Sequence, residues 1–202
     1  MSILTEPLPD SVVVDGISYA VNTDFRVWIR FENIMLDREK DNIRKLTDII
    51  TCCIDSSRCK RIPENIGGLI SELIGFHGCF RIKENADTKP DSGEKKLPIF
   101  NFEADAPYIY GAFLSQYGID LIDVEYLHWF KFDALFHSLE EQNKIIKIIG
   151  WRDMDISKIK DSEQRSIYRK LKDAYSLPDT RTQEERDRDN AAELSKTFFN
   201  MI

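Results

Sequence analysis

No stretch of this chain approaches the roughly 18 to 20 consecutive apolar residues that a bilayer-spanning helix needs. Its 202 residues also lack an excess of positive charge: 28 Lys and Arg stand against 35 Asp and Glu, a net charge of −7. A general binder of phosphate backbones would show the opposite balance, so no nucleic-acid partner is expected. The phosphate-cradling patterns G-x-x-x-x-G-K-[ST] and G-x-G-x-x-G are missing, and Gly67-Gly68 is neither. The opening MSILTEPLPD has no basic stretch and no apolar run, so no signal peptide is expected. Cysteine is sparse, with four residues, and none forms the paired C-x2-4-C knuckles of zinc modules. Adjacent Cys52 and Cys53 on a helix would diverge by about 100°. Buried or half-buried reduced thiols are therefore expected rather than a metal cluster of Cys52, Cys53, Cys59, His77 and Cys79.

What is present is a charge-rich, aromatic-rich composition, 42% hydrophobic, 31% charged and 11% aromatic. The length is that of one domain able to bury a core without staples. The expected fold class is mainly α, a helical domain over residues 1–180 with a small N-terminal β-hairpin. Residues 83–98, KENADTKPDSGEKKLP, carry no apolar periodicity and read as a solvated, flexible loop. Residues 181–202 read as a charged tail or a terminal helix.

Local signals place the elements. Two β-branched runs flank Asp15-Gly16, the strongest short hairpin signal. Thr23-Asp24 offers an N-cap for a helix through Leu36. A second helix is expected over Lys40–Ile54, and a third from near Pro63 through the Gly-rich ENIGGLISELIGFHGCF. In the second half the apolar spacing predicts helices over about Glu103–Tyr117, with Gly118 as an αL cap, and from a cap at Asp123 through Leu139. A shorter helix over Glu141–Gly150 and a polar one from Asp155 or Ser157 to Ser176 complete the series.

Each residue that could carry chemistry has a plainer reading. His128 and His137 have no nucleophile or carboxylate supplied by a motif and read as polar rings at the edge of an aromatic helix. Glu103 and Asp105 read as capping and dipole-favoured carboxylates at a helix start. Arg26, Arg30, Lys131 and Arg152 lie among aromatics, which suits intramolecular cation–π or carboxylate contacts better than nucleic acid in so acidic a chain. No catalytic, cofactor-binding or metal-binding residue is expected, and no enzymatic activity.

The residues go further as a pattern. Asn22-Thr23-Asp24-Phe25-Arg26 after the hairpin, Phe100-Asn101-Phe102-Glu103-Ala104-Asp105, Ile109-Tyr110, Ala112-Phe113, Gln116-Tyr117-Gly118-Ile119-Asp120-Leu121, Leu127-His128-Trp129-Phe130-Lys131-Phe132 and Trp151-Arg152 occur in this order. The chain resembles, over roughly residues 12–178, the bacteriophage "gene product fifteen" family of siphophages infecting Gram-positive bacteria. The resemblance implies a tail-module protein in the position of tail assembly chaperones, without enzymatic activity or cofactor. It implies the tape-measure protein or other tail proteins as partners, the host bacterial cytoplasm as location, and absence from the mature virion. The alternative is a structural component of the tail. Homo-oligomerisation is compatible with either.

A chaperone needs an apolar surface inside a charged exterior. The densest aromatic stretch, Phe100–Phe132 and the helix after it, makes Tyr126, Trp129, Phe130 and Phe136 the candidate partner-binding residues. The competing reading, favoured by their density, is that these rings fill the core. Phe198 and Phe199, in the apolar segment after the charged tail, are the other candidates.

Overall fold

The computed structural model describes residues 5–59, 61–79 and 98–178. The chain opens with an antiparallel hairpin, β1 (Ser11–Val14) and β2 (Ile17–Ala20), in the register Val12↔Tyr19 and Val14↔Ile17. Asp15 (φ 50°) and Gly16 (φ 79°) form the turn. Both have positive φ, as a type I′ turn requires, which is why Asp-Gly serves here. Val12 and Val14 alternate into the core while Val13 points outward.

Seven α-helices follow among the described residues: α1 (Phe25–Leu36), α2 (Asn42–Cys53), α3 (Ile66–His77), α4 (Ala106–Tyr117), α5 (Trp129–His137), α6 (Lys144–Asp153) and α7 (Ser162–Ala174). A mainly helical domain with a minor hairpin is therefore the observed fold. Several starts are set by side-chain caps that satisfy orphan N–H groups. Asp24, Asp41, Asn65 and Asp161 accept from Arg26 N, Arg44 N, Gly68 N and Gln164 N. Gly68 is required by its own cap: a Cβ there would lie 2.7 Å from the Asn65 amide nitrogen. At the end of α4, Gly118 adopts φ 66°, the expected αL cap.

The second half departs from expectation at four places. α4 begins at Ala106, after a turn in which the Asn101 side chain accepts from Glu103 N and Ala104 N. α5 begins at Trp129, not after Asp123. The reason is a backbone pairing that spacing cannot reveal. Phe25 N donates to Leu127 O at 2.9 Å and Trp129 N to Thr23 O at 2.7 Å, around an isolated bridge between Asp24 and His128. That pairing holds Leu127–Trp129 extended, so the helix can start only beyond it. The polar helix expected from Asp155 to Ser176 is two pieces, a 3-10 turn (Ile156–Lys158) capped by Asp155, and α7. α6 lies about three residues later than predicted. The loop predicted at 83–98 falls outside the described residues except for Pro98.

The core gathers around α5. Phe132 is fully buried and stacks on Phe25 (4.8 Å between centroids), Phe113 (5.0 Å) and Trp129 (5.6 Å), with Phe102 at 5.8 Å. Such offset and tilted rings add roughly 0.5–1.5 kcal/mol per pair beyond their burial. The buried indoles are satisfied: Trp28 Nε1 donates to Asn22 O at 2.8 Å and Trp129 Nε1 to His77 O at 2.9 Å. α1 packs on α2 and on α5, α3 packs on β1, and α4 packs on α5 and α6.

A second, polar junction ties α4 to α6 and α7. The Arg152 guanidinium donates to both Asp105 oxygens, at 2.6 and 2.9 Å, and also reaches Ile99 O and Tyr175 O. Asp105 is 1% exposed. Asn101 N donates to the same carboxylate at 3.0 Å. Asp105 stands at the N-cap position of α4 but makes no capping bond. Its carboxylate is committed to the ion pair, a structural role different from the expected one.

Candidate functional site

The sequence candidates divide sharply by burial. Trp129, Phe130 and Phe136 are 1%, 4% and 4% exposed. Phe130 packs on Phe76 at 4.8 Å, Phe136 on Phe100 at 5.2 Å, and Trp129 stacks on His77 at 5.1 Å. Starting α5 at Trp129 turns these rings inward, and as placed they present no surface to a partner. Tyr126 alone of the four is exposed, its hydroxyl 2.6 Å from Thr23 Oγ1. Phe198 and Phe199 lie outside the described residues.

The open apolar surface is instead one layer above these rings. α1 and α4 both lean on α5 and leave a cleft between them. Phe25 and Ile29 form one wall; Ala106, Pro107 and Ile109 form the other. Phe102 and Phe132 form the floor, and Leu121 and Ile122 close one end. The cleft measures about 390 Å³, within the roughly 300–1,000 Å³ of cavities that take small ligands. A second depression of about 530 Å³ continues along the same seam, between Asn33, Ile34 and Leu36 of α1 and Pro98, Ala104, Leu177 and Pro178. Ile29 and Asn33 are one helical turn apart, so the two depressions follow one another along one face of α1.

The end wall is held in place by polar contacts. Asp120 Oδ1 accepts from Ile122 N at 2.9 Å, and Asp120 Oδ2 accepts from the Tyr110 hydroxyl at 3.0 Å. The Ile122 N–H and then the Tyr110 hydroxyl hold the Asp120 carboxyl below its ordinary range. The same hydrogen bond, more than burial, pushes the Tyr110 hydroxyl up. From beneath, the Arg26 guanidinium donates to Leu121 O at 3.2 Å and to Val124 O, and pairs with Asp24 at 3.2 Å. This clamp holds Ile122 74% exposed at the rim. Ile122 and the cleft beside it thus form one exposed apolar surface. Asp120, Asp123 and Glu125 flank Ile122 in sequence, so this stretch is acidic.

The residues weighed for chemistry are engaged elsewhere. His128 is not at a helix edge: it is 6% exposed and caps α5. Its Nδ1 accepts from Phe130 N at 3.1 Å, which leaves the proton on Nε2 to be donated to Pro9 O at 3.0 Å. Burial lowers its pKa below the ordinary 6.5. His137 contacts Asp133 within its own helix. Cys52 and Cys53 sulfurs lie 3.7 Å apart, and Cys59 Sγ accepts from Ala20 N at 3.0 Å. Among the described residues, no group of three or more His, Cys, Asp or Glu could hold a metal ion. The arrangement offers apolar contact.

Sequence reasoning missed the cleft residues Ile29, Phe102, Ala106, Pro107, Leu121 and Ile122. One signal was legible: Ile122 is an aliphatic residue just after the turn-forming Gly118-Ile119-Asp120, two residues beyond an Asp able to fix a turn.

A family model described as "Bacteriophage Gp15 protein" matches residues 4–177. No curated protein and no solved structure matches the chain. The matched span contains the hairpin and the seven described helices.

Proposed function

The chain belongs to the bacteriophage Gp15 protein family, and from that premise we propose that it is a non-catalytic assembly factor that binds a helical partner through the α1–α4 groove. The single observation that carries this reading is the groove itself, an apolar cleft floored by packed rings, with Ile122 held in water at its rim. A partner helix with apolar residues at i, i+3 and i+4 would lay that stripe along the seam. The pre-formed floor spares the cost of ordering side chains on binding. A net charge of −7 keeps the exterior soluble and limits self-association.

In this proposal the partner is the tape-measure protein of a phage tail, whose apolar stripes need cover until tail subunits enclose them. The protein would act in the host cytoplasm and be left out of the finished particle. Release during polymerisation calls for moderate affinity, with a few anchors at the cleft centre and near-neutral contacts around them.

Co-expression with the neighbouring long helical gene product, followed by pull-down and a solubility assay, tests the reading. Wild type should keep the partner soluble and co-purify with it, and Ile122→Asp should lose both while folding normally. A partner that stays insoluble in the presence of wild type would sink the proposal. Stoichiometric copies in purified virions would replace it with a structural role in the tail.

A further inference from the structure

The last described residues of the chain, Leu177 and Pro178, line the depression at one end of the groove. Beyond them the sequence divides in two. Residues 181–195, RTQEERDRDNAAELS, are too polar to fill an apolar cleft. Residues 198–202, Phe198-Phe199-Asn200-Met201-Ile202, are apolar at four of five positions. Lys196 stands just before them.

We propose that the occupant of the α1–α4 groove is this segment of the same chain. In this proposal the Phe198-Phe199 pair would cover the Phe102–Phe132 floor, and Lys196 would pair with Asp120 or Asp123. The proposal rests on the reading of the groove as a binding surface and adds what covers it before a partner arrives.

Three observations support it. The first is reach. Phe25 and Asp37 mark the two ends of the seam, twelve residues apart on the α1 side, or about 18 Å. The twenty residues from Pro178 to Phe198 span about 30 Å even as an unbroken helix, so the segment can return to the cleft. The second is the point of departure. A segment tethered at the mouth of its own site binds intramolecularly, at an effective concentration of about millimolar, so weak contacts suffice. The third is charge. Asp120, Asp123 and Glu125 lie within three residues of Ile122 in sequence, and Lys196 is the one cation within three residues of the apolar run.

The consequence is competition. A partner helix must displace the segment, and its apparent affinity falls by the fraction of molecules whose groove is open. An assembly factor built this way keeps its sticky face covered until a partner of higher local concentration or larger apolar stripe arrives.

The test uses the full chain as wild type, as F198S/F199S and as Ile122→Asp, with backbone amide NMR and an anilinonaphthalene sulfonate probe. In F198S/F199S, amides of Ile29, Ala106, Leu121 and Ile122 should shift, and dye fluorescence should rise several-fold. In Ile122→Asp, which changes an exposed side chain, the amides of Phe198 and Phe199 should move to the same positions at every protein concentration. Groove amides that do not respond to F198S/F199S overturn the proposal. Shifts that vary with dilution also overturn it, because a second copy would then supply the segment. Dye that binds wild type and F198S/F199S equally but is lost in Ile122→Asp overturns the covering segment and leaves the groove standing as a binding surface. Dye bound equally by all three removes both.

Discussion

Phe132 and Asp105 are both fully buried, yet opposite physics holds the ring cluster around the one and the junction around the other. Phe132 touches five other rings and no polar atom of its own is at stake; its stabilisation is spread over many weak contacts. Asp105 is satisfied by one guanidinium and one backbone N–H. Remove a ring and a cavity remains; remove the guanidinium and a buried charge remains. Apolar burial degrades by degrees, whereas a buried ion pair fails with its first lost partner. The groove depends on both. The rings supply its floor, and the junction anchors the start of α4, which supplies its wall.

The largest test of this contrast is Phe132→Ala. It should cost about 3–5 kcal/mol in chemical denaturation, while Phe132→Leu should recover a good part of that. An equal loss for both would mean that ring geometry, and not buried volume, sets the stability there.

Arg152→Ala should cost about 3 kcal/mol or more, since it strands the Asp105 carboxylate. The sharper form is a double-mutant cycle. Asp105→Leu combined with Arg152→Met should regain most of the loss, because apolar groups of similar volume need no partner. A double variant as unstable as Arg152→Ala would show that Asn101 and the Ile99 and Tyr175 carbonyls, not the pair itself, make the junction.

Next in size is His128, a buried titratable ring in the apolar region. Its folded pKa lies below 6.5, chiefly through burial; the Pro9 carbonyl opposes this, Lys131 adds to it, and Asp10 acts with Pro9. A lowered histidine contributes stability that is full above the unfolded pKa and is lost as pH falls through the folded value. Protonation would also put a donor on Nδ1, which now accepts from Phe130 N. Melting temperature should therefore drop on acidification below about pH 6.5 more steeply in wild type than in His128→Asn, which can cap without titrating. At pH 7, His128→Ala should cost about 1 kcal/mol for the lost cap. Parallel pH profiles for wild type and His128→Asn would refute the assignment.

The smallest expected effect on stability is that of Ile122→Asp, within about 0.5 kcal/mol for a surface change. Its effect on partner capture should be the largest of the set. A clear fall in melting temperature would show that Ile122 belongs to the core and not to a contact surface.

Much of the local architecture was legible in the residues. Asp15-Gly16 specified its hairpin, Asp24 its cap and Gly118 its αL stop, because each acts over two or three residues. The start of α5 was not legible. Val124 to Leu139 carries helical spacing throughout, but Leu127–Trp129 is held extended by Thr23–Phe25, and Leu127 N lies 103 residues from the Asp24 carboxylate it contacts. Whether the dense aromatics face a partner or the core was left open for the same reason. Aromatic density allowed Trp129, Phe130 and Phe136 either role, and the structure buries all three. The groove is made of less conspicuous residues, Ile29, Ala106, Pro107 and Ile122, drawn from three separate parts of the chain.

By itself, then, the sequence determined the helical class, the hairpin, the caps at Asp24 and Gly118 and the family, all of which rest on short-range chemistry or on the order of residues along the chain. Only the tertiary structure decided which aromatics are core, where α5 begins, what Asp105 pairs with and where an apolar surface stays open. Those outcomes depend on which distant segments compete successfully for the same backbone groups and the same buried space. No local pattern records that competition.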